Sequence, residues 1–165
     1  MTMEQDFVIR EAAAGELAEI ENLVQEAYRE FKPLFPEKVW NAWMENIGQT
    51  VRAPSGILLV LEHQGRLWGA VKFFPEAERS GMGQWPPGAA ALRILAVAPT
   101  ARGRGYGTLL TRECLGLARE QQVSVIFLCT GEFMQAARHV YEKLGFRRVP
   151  EFDRDPGPIA YRLDL

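Results

Sequence analysis

The chain has 165 residues, enough for one domain with a real core and too few for two full ones. Apolar residues make up 47 % and charged residues 24 %, an ordinary globular balance that excludes fibrous, low-complexity and disordered classes. A net charge of -2 argues against nucleic acid as the main partner, and no apolar run approaches the roughly 20 residues that a membrane span needs.

In chain order, Phe7 to Arg10 reads as a short first strand. Gly15 to Tyr28 follows with Leu17, Ile20, Leu23, Val24, Ala27 and Tyr28 on one stripe, the spacing of an amphipathic helix. Pro33 and Pro36 interrupt it, and Val39, Trp40, Trp43 and Ile47 mark a second helix. Ile57 to Glu62 and Leu67 to Phe74 read as two strands of a hairpin turning at His63 to Arg66. Pro75 to Gly88 is a long loop of three prolines, three glycines, Glu76, Glu78 and an exposed-looking Trp85; loops of this length are often functional. Ala89 to Val97 is the next strand. Thr108 to Glu120 carries the clearest helical stripe: Leu110, Cys114, Leu117 and Ala118.

Val123 to Cys129 is a continuous apolar run of the kind found in buried strands. Phe133 to Leu144 is a helix that Gly145 stops, with Phe146 free to pack back on its last turn. Phe146 to Val149 and Ile159 to Leu163 form two final strands. The whole of 1–165 reads as a single α/β domain on a mixed sheet. Cys114 and Cys129, each in an apolar segment, read as core thiols in a reducing compartment, not as a disulfide or a metal site. Met1 to Arg10 lacks the basic-then-apolar order of a signal peptide, so a cytoplasmic location is expected.

The richest stretch is the strand ending at Val97, then Arg102-Gly103-Arg104-Gly105-Tyr106-Gly107, then a helix opening at Thr108. Free N–H groups at a helix start, together with the helix dipole, attract anions. Glycines at 103, 105 and 107 leave room for close approach of a phosphate. Arg102 and Arg104 can add charge-assisted bonds, and the set suits a pyrophosphate. The bland alternative is a tight turn with solvated arginines. A dinucleotide turn expects this glycine pattern after the first strand and an acidic residue at the end of the next; here that strand ends at Cys129-Thr130. A mononucleotide loop needs Gly-Lys-Ser/Thr, and Gly107-Thr108 lacks the lysine.

On these residues the sequence resembles the GNAT superfamily of acyl-CoA N-acyltransferases over nearly its whole length. Arg102 to Gly107 fits the family's Arg/Gln-x-x-Gly-x-Gly/Ala signature. Leu95-Ala96-Val97-Ala98-Pro99 looks like its fourth strand, and Ala137 to Phe146 like its second block. The resemblance implies a mixed, mostly antiparallel sheet of six to seven strands, splayed between strands 4 and 5 and flanked by about four helices. It implies that acetyl-CoA lies in that V, with no metal. Leu95, Ala96 and Val97 would pair with the pantetheine arm, and Arg102, Gly103, Arg104, Gly105, Tyr106, Gly107 and Thr108 would hold the pyrophosphate. Tyr141 would protonate the departing thiolate as general acid; by spacing alone it sits on the buried stripe of its helix, where aromatics are usually core.

Two departures stand out. Where many members have a glutamate near the start of the fourth strand, this chain has Ala90, Ala91 and Arg93; where many have an asparagine, it has Met134. The base is therefore open between Glu76, Glu78, His63 and water. The implied function is acetyl transfer to a primary amine of a small molecule or peptide by direct attack in a ternary complex. An acyl-CoA-binding sensor without turnover is the alternative. The acceptor site would draw on Tyr28, Phe31, Phe35, Trp40, Trp43 and Trp85, residues that otherwise read as core. A homodimer is left open by the resemblance; neither a nucleic acid nor a membrane is expected as partner.

Overall fold

A computed structural model describes residues 6–154 and 156–165. Seven strands form one sheet: β1 (Phe7–Glu11), β2 (Ile57–His63), β3 (Arg66–Phe74), β4 (Ala90–Val97), β5 (Val125–Thr130), β6 (Arg147–Arg148) and β7 (Ile159–Asp164). Their order across the sheet is β1-β2-β3-β4-β5-β7-β6. All neighbours are antiparallel except β4 and β5. Helices α1 (Leu17–Tyr28) and α2 (Glu37–Arg52) cover one face, while α3 (Tyr106–Glu120) and α4 (Gln135–Lys143) cover the other.

The two-residue period of a strand feeds both cores. Leu59, Leu61, Val71 and Phe73 pack with α3, whereas Leu58, Val60 and Ala70 pack with α1 and α2. This is why residues 58–61 are apolar without alternation. Among the described residues, no helix is long and apolar enough to cross a membrane.

The sheet opens in the middle. Only Ala90 and Ala91 of β4 register with β5, against Ile126 and Phe127. A bulge then falls between the β3 positions Ala70 and Lys72, and Ile94 adopts a left-handed backbone (φ 57°). A β-branched residue rarely does so, at a cost on the order of 1–3 kcal/mol. Bulges bend a strand and increase its twist, and beyond this one β4 diverges from β5.

The C-terminal end of α2 is anchored by a buried cation. Lys72 Nζ donates to Thr50 O and Ala53 O, each at 2.7 Å, and so closes the C-terminal turn of α2. A cation there satisfies orphan carbonyls and complements the helix dipole. Lys72→Met leaves both carbonyls buried without a donor. Urea denaturation is expected to show a loss of about 2–3 kcal/mol; a loss under about 0.5 kcal/mol, the level of an ordinary surface substitution, would contradict this anchoring.

Several elements differ from their sequence expectation. α2 runs five residues beyond Ile47, through Gly48. Gly48 lies inside the helix and does not end it, with the end of the Glu21 side chain of α1 lying against it. α3 starts two residues early, at Tyr106, because Gly105 (φ 79°) makes the turn into it. Trp85 is buried, not exposed: it stacks on Phe127 (4.8 Å between centroids, 13° between planes) and meets Phe152. The loop 75–89 therefore folds back as a third small core, and a short 3-10 turn at Ala77–Arg79 lies within it. Cys114 is buried as expected, but Cys129 is partly exposed.

Candidate active site

A cavity of about 590 Å³ lies between β4, past the point where it leaves β5, and the start of α4. Its walls are Leu95, Ala96 and Val97, the loop from Arg102 to Thr108, the start of α4 and the end of α1. Past Ala91, β4 has no partner on the β5 side, so that edge offers main-chain groups to the cavity.

At one end sits the N-terminus of α3. Leu109 N–H to Gly105 O (3.1 Å) is the helix's first such bond, so the amides of Tyr106, Gly107 and Thr108 have no intrahelical partner. No side chain caps them and no acid lies in the first turn. Gly103 (φ 83°) and Gly105 (φ 79°) both use the left-handed region, and a Cβ on either would meet only open space. The room is therefore on the outside of the loop, where an anion would approach. Gly107 differs: a Cβ there would make ordinary contact with Val140, Val97 and Leu95.

The two arginines part ways. Arg102 is turned toward α1, with Nη1 donating to Glu30 Oε2 (2.9 Å) and Nη2 to Ala27 O (2.8 Å). In this structure its side chain ties the loop to α1, and of the two Arg104 is without such an ion pair among the described residues. Arg104 is exposed.

A second cavity, of about 370 Å³, adjoins the first; Tyr28, Leu95, Phe133 and Met134 line both. Trp43 forms its aromatic wall with Tyr28 (5.3 Å, stacked), Phe35 (5.3 Å) and Phe133 (6.3 Å). Of the aromatic set named from sequence, Tyr28, Phe35 and Trp43 reach this cavity and Phe31 reaches the first. Trp40 packs behind Trp43, and Trp85 is elsewhere. Phe133 was missed as a member of the set. It lies in the loop before α4, and nothing local ties it to the aromatics of α1 and α2.

Tyr141 lines the second cavity from α4. Its position is fixed by the helix stop: Phe146 N–H donates to Tyr141 O (3.0 Å), Gly145 N–H to Glu142 O (3.1 Å), and Gly145 takes φ 98°. This is a Schellman motif, and its hydrophobic contact is the Tyr141–Phe146 ring pair at 5.7 Å. Burial pushes the Tyr141 phenol far above its ordinary pKa, and among the described residues its hydroxyl has no hydrogen-bond partner. It stays protonated across the working range. Tyr28 is likewise raised by burial, and its hydroxyl donates to Leu95 O at 2.7 Å. The Cys129 thiol, also on the cavity wall, is pushed up to about 11 by burial and so stays neutral.

The base candidates lie apart from both cavities. Glu76 is an exposed partner of Arg79 (2.6 Å), and Glu78 is exposed in the same turn. His63 ends β2 beside Phe7, at the far edge of the sheet. Among the described residues no carboxylate lines the second cavity; its charged lining residue is Arg93.

A sheet that parts beside an uncapped, glycine-led helix start defines an acyl-CoA N-acyltransferase fold. A family model described as the acetyltransferase (GNAT) family matches residues 17–146, and the chain belongs to that family. The PaiA N-acetyltransferase of Thermoplasma acidophilum, solved in complex with coenzyme A, superposes with a TM-score of 0.75 at 14 % identity, over 96 % of this chain and 99 % of that one. A GNAT family acetyltransferase of Brucella melitensis in complex with acetyl-CoA gives 0.69 at 21 % identity, over 98 % and 90 %. At such identities the likeness is one of fold. A mycothiol acetyltransferase of Rhodococcus jostii is 34 % identical over 62 residues, which is 38 % of this chain and 20 % of the relative. The matched segment thus spans about a fifth of that curated relative.

Proposed function

We propose that this protein transfers an acetyl group from acetyl-CoA to a primary amine by direct attack within a ternary complex. The observation that carries this reading is the junction of the two cavities. One suits an extended thioester beside a phosphate-binding helix start, and the other an amine, with Tyr141 at hand. In this reading the amides of the loop from Arg102 to Thr108 hold the pyrophosphate, and the edge of Leu95, Ala96 and Val97, which has no strand partner on the β5 side, takes the pantetheine arm. Acetyl-CoA supplies an activated acyl group.

The neutral amine nitrogen attacks the thioester carbonyl carbon. The C–N bond forms, the C–S bond breaks, and the sulfur takes the Tyr141 proton. Tyr141 regains a proton from the product ammonium by way of water, which leaves an amide and a free thiol. No carboxylate or imidazole lines the second cavity among the described residues, which favours water over Glu76, Glu78 or His63 as the acceptor of the amine proton.

Thiol release from acetyl-CoA over a panel of amines tests the reading. Release is expected only with an acceptor present. The acidic limb of the kcat/KM profile should follow the acceptor's own pKa as the amine is varied. Tight acetyl-CoA binding with no release on any amine would favour a non-catalytic sensor instead.

A further inference from the structure

The acceptor cavity combines an aromatic wall with one charge of the wrong sign for an ammonium. Arg93 sits in β4 between Leu92 and Ile94, a guanidinium within an otherwise apolar strand. Nη1 donates to Ser80 O (2.8 Å) and Nη2 to Asn46 Oδ1 (2.8 Å). These bonds tie it to the β3–β4 loop and to α2, so its place on the cavity wall is fixed. They use two of the five N–H donors that a guanidinium carries, so three are without a partner among the described residues. Arg154 adds a second positive charge felt at Cys129 on the same wall. The carboxylate felt there, Asp153, is engaged by Arg148 and by the Ala160 amide (2.7 Å).

An aromatic box alone would suit a cation. A guanidinium beside it repels one, and among the described residues no carboxylate on the cavity wall offsets its charge. A planar fork of N–H donors matches a carboxylate.

We infer that Arg93 is an anion subsite, and that the acceptor is a small amine carrying a carboxylate on an apolar or aromatic body, as an apolar α-amino acid does. The inference rests on the acetyl-transfer reading for the fate of the amine, but not for its binding. The carboxylate docks on Arg93 and the body lies against Trp43 and Phe35. The same positive charge lowers the pKa of the bound ammonium, which eases loss of the proton that must leave before attack.

The test compares L-phenylalanine with 2-phenylethylamine, which differ only in the carboxylate. Calorimetry with coenzyme A present is expected to show phenylalanine binding at least tenfold tighter. Arg93→Met should abolish the difference, and Arg93→Lys should retain part of it. Because Arg93 also braces α2, the comparison of ligands on the unaltered protein stands even if a variant fails to fold. Equal affinity for the two ligands, a preference for phenylethylamine, or binding of neither would overturn the inference. Thiol release measured on the same pair separates the two readings. A binding preference without release sinks acetyl transfer and leaves the subsite. Equal release from both amines sinks the subsite and leaves acetyl transfer.

Discussion

Gly105→Val is expected to weaken coenzyme A binding by about 100-fold, or about 2.8 kcal/mol at 1.4 kcal/mol per tenfold. The effect has two parts. Gly105 has φ 79°, where a side chain costs about 1–2 kcal/mol, more if β-branched. That part falls on folding and should lower Tm by a few degrees. The second part falls on the ligand. A Cβ at Gly105 meets no protein atom, so a valine there would project into the space in front of the α3 amides and keep a phosphate from reaching them.

Gly88→Val separates the two parts. Gly88 has nearly the same dihedral (φ 83°) and the same open surroundings, but lies in the β3–β4 loop away from both cavities. It should lose comparable stability and leave coenzyme A affinity unchanged. If calorimetry gives Gly105→Val the affinity of the unaltered protein, the pyrophosphate does not sit on this helix.

Tyr141→Phe is expected to reduce kcat by about 10²-fold or more, the usual worth of a positioned general acid, with acetyl-CoA affinity nearly constant. The substitution is clean for a structural reason. The Schellman bonds use the Tyr141 backbone, and the ring contact with Phe146 survives in phenylalanine. The hydroxyl that is removed makes no hydrogen bond among the described residues, so thermal stability should change little. Burial holds the phenol protonated well above the ordinary tyrosine range. Ionisation of Tyr141 should therefore put no basic limb on the rate profile of the unaltered enzyme below about pH 10. A variant with the parent's kcat would take Tyr141 out of the chemistry and leave protonation of the thiolate to water.

What could be read from the residues in order was the part of the site that the chain builds from neighbours. Strand, glycine turn and helix start follow one another within residues 90–120, and each carries a local signature: a branched apolar run, glycines where φ must be positive, a helical stripe. Gly145 announced the end of α4 for the same reason, and with it the seat of Tyr141. Helix ends were less legible: the residues that mark α2 in the sequence stop at Ile47, but the helix continues to Arg52, where Lys72 closes its last turn.

The rest required the fold. Arg102 answers to Glu30 and Ala27, 72 and 75 positions away, and Arg93 to Asn46, 47 positions away. The wall of Tyr28, Phe35, Trp43 and Phe133 gathers α1, α2 and the turn before α4 around a break in the sheet. Periodicity tells which face of an element is buried, but not which other element it meets. A charge in a strand announces an exception, but not its partner. The second cavity is gathered from such long-range meetings, so only the tertiary structure could assemble it, while the glycine-led helix start that we propose as the phosphate seat lies in six consecutive residues.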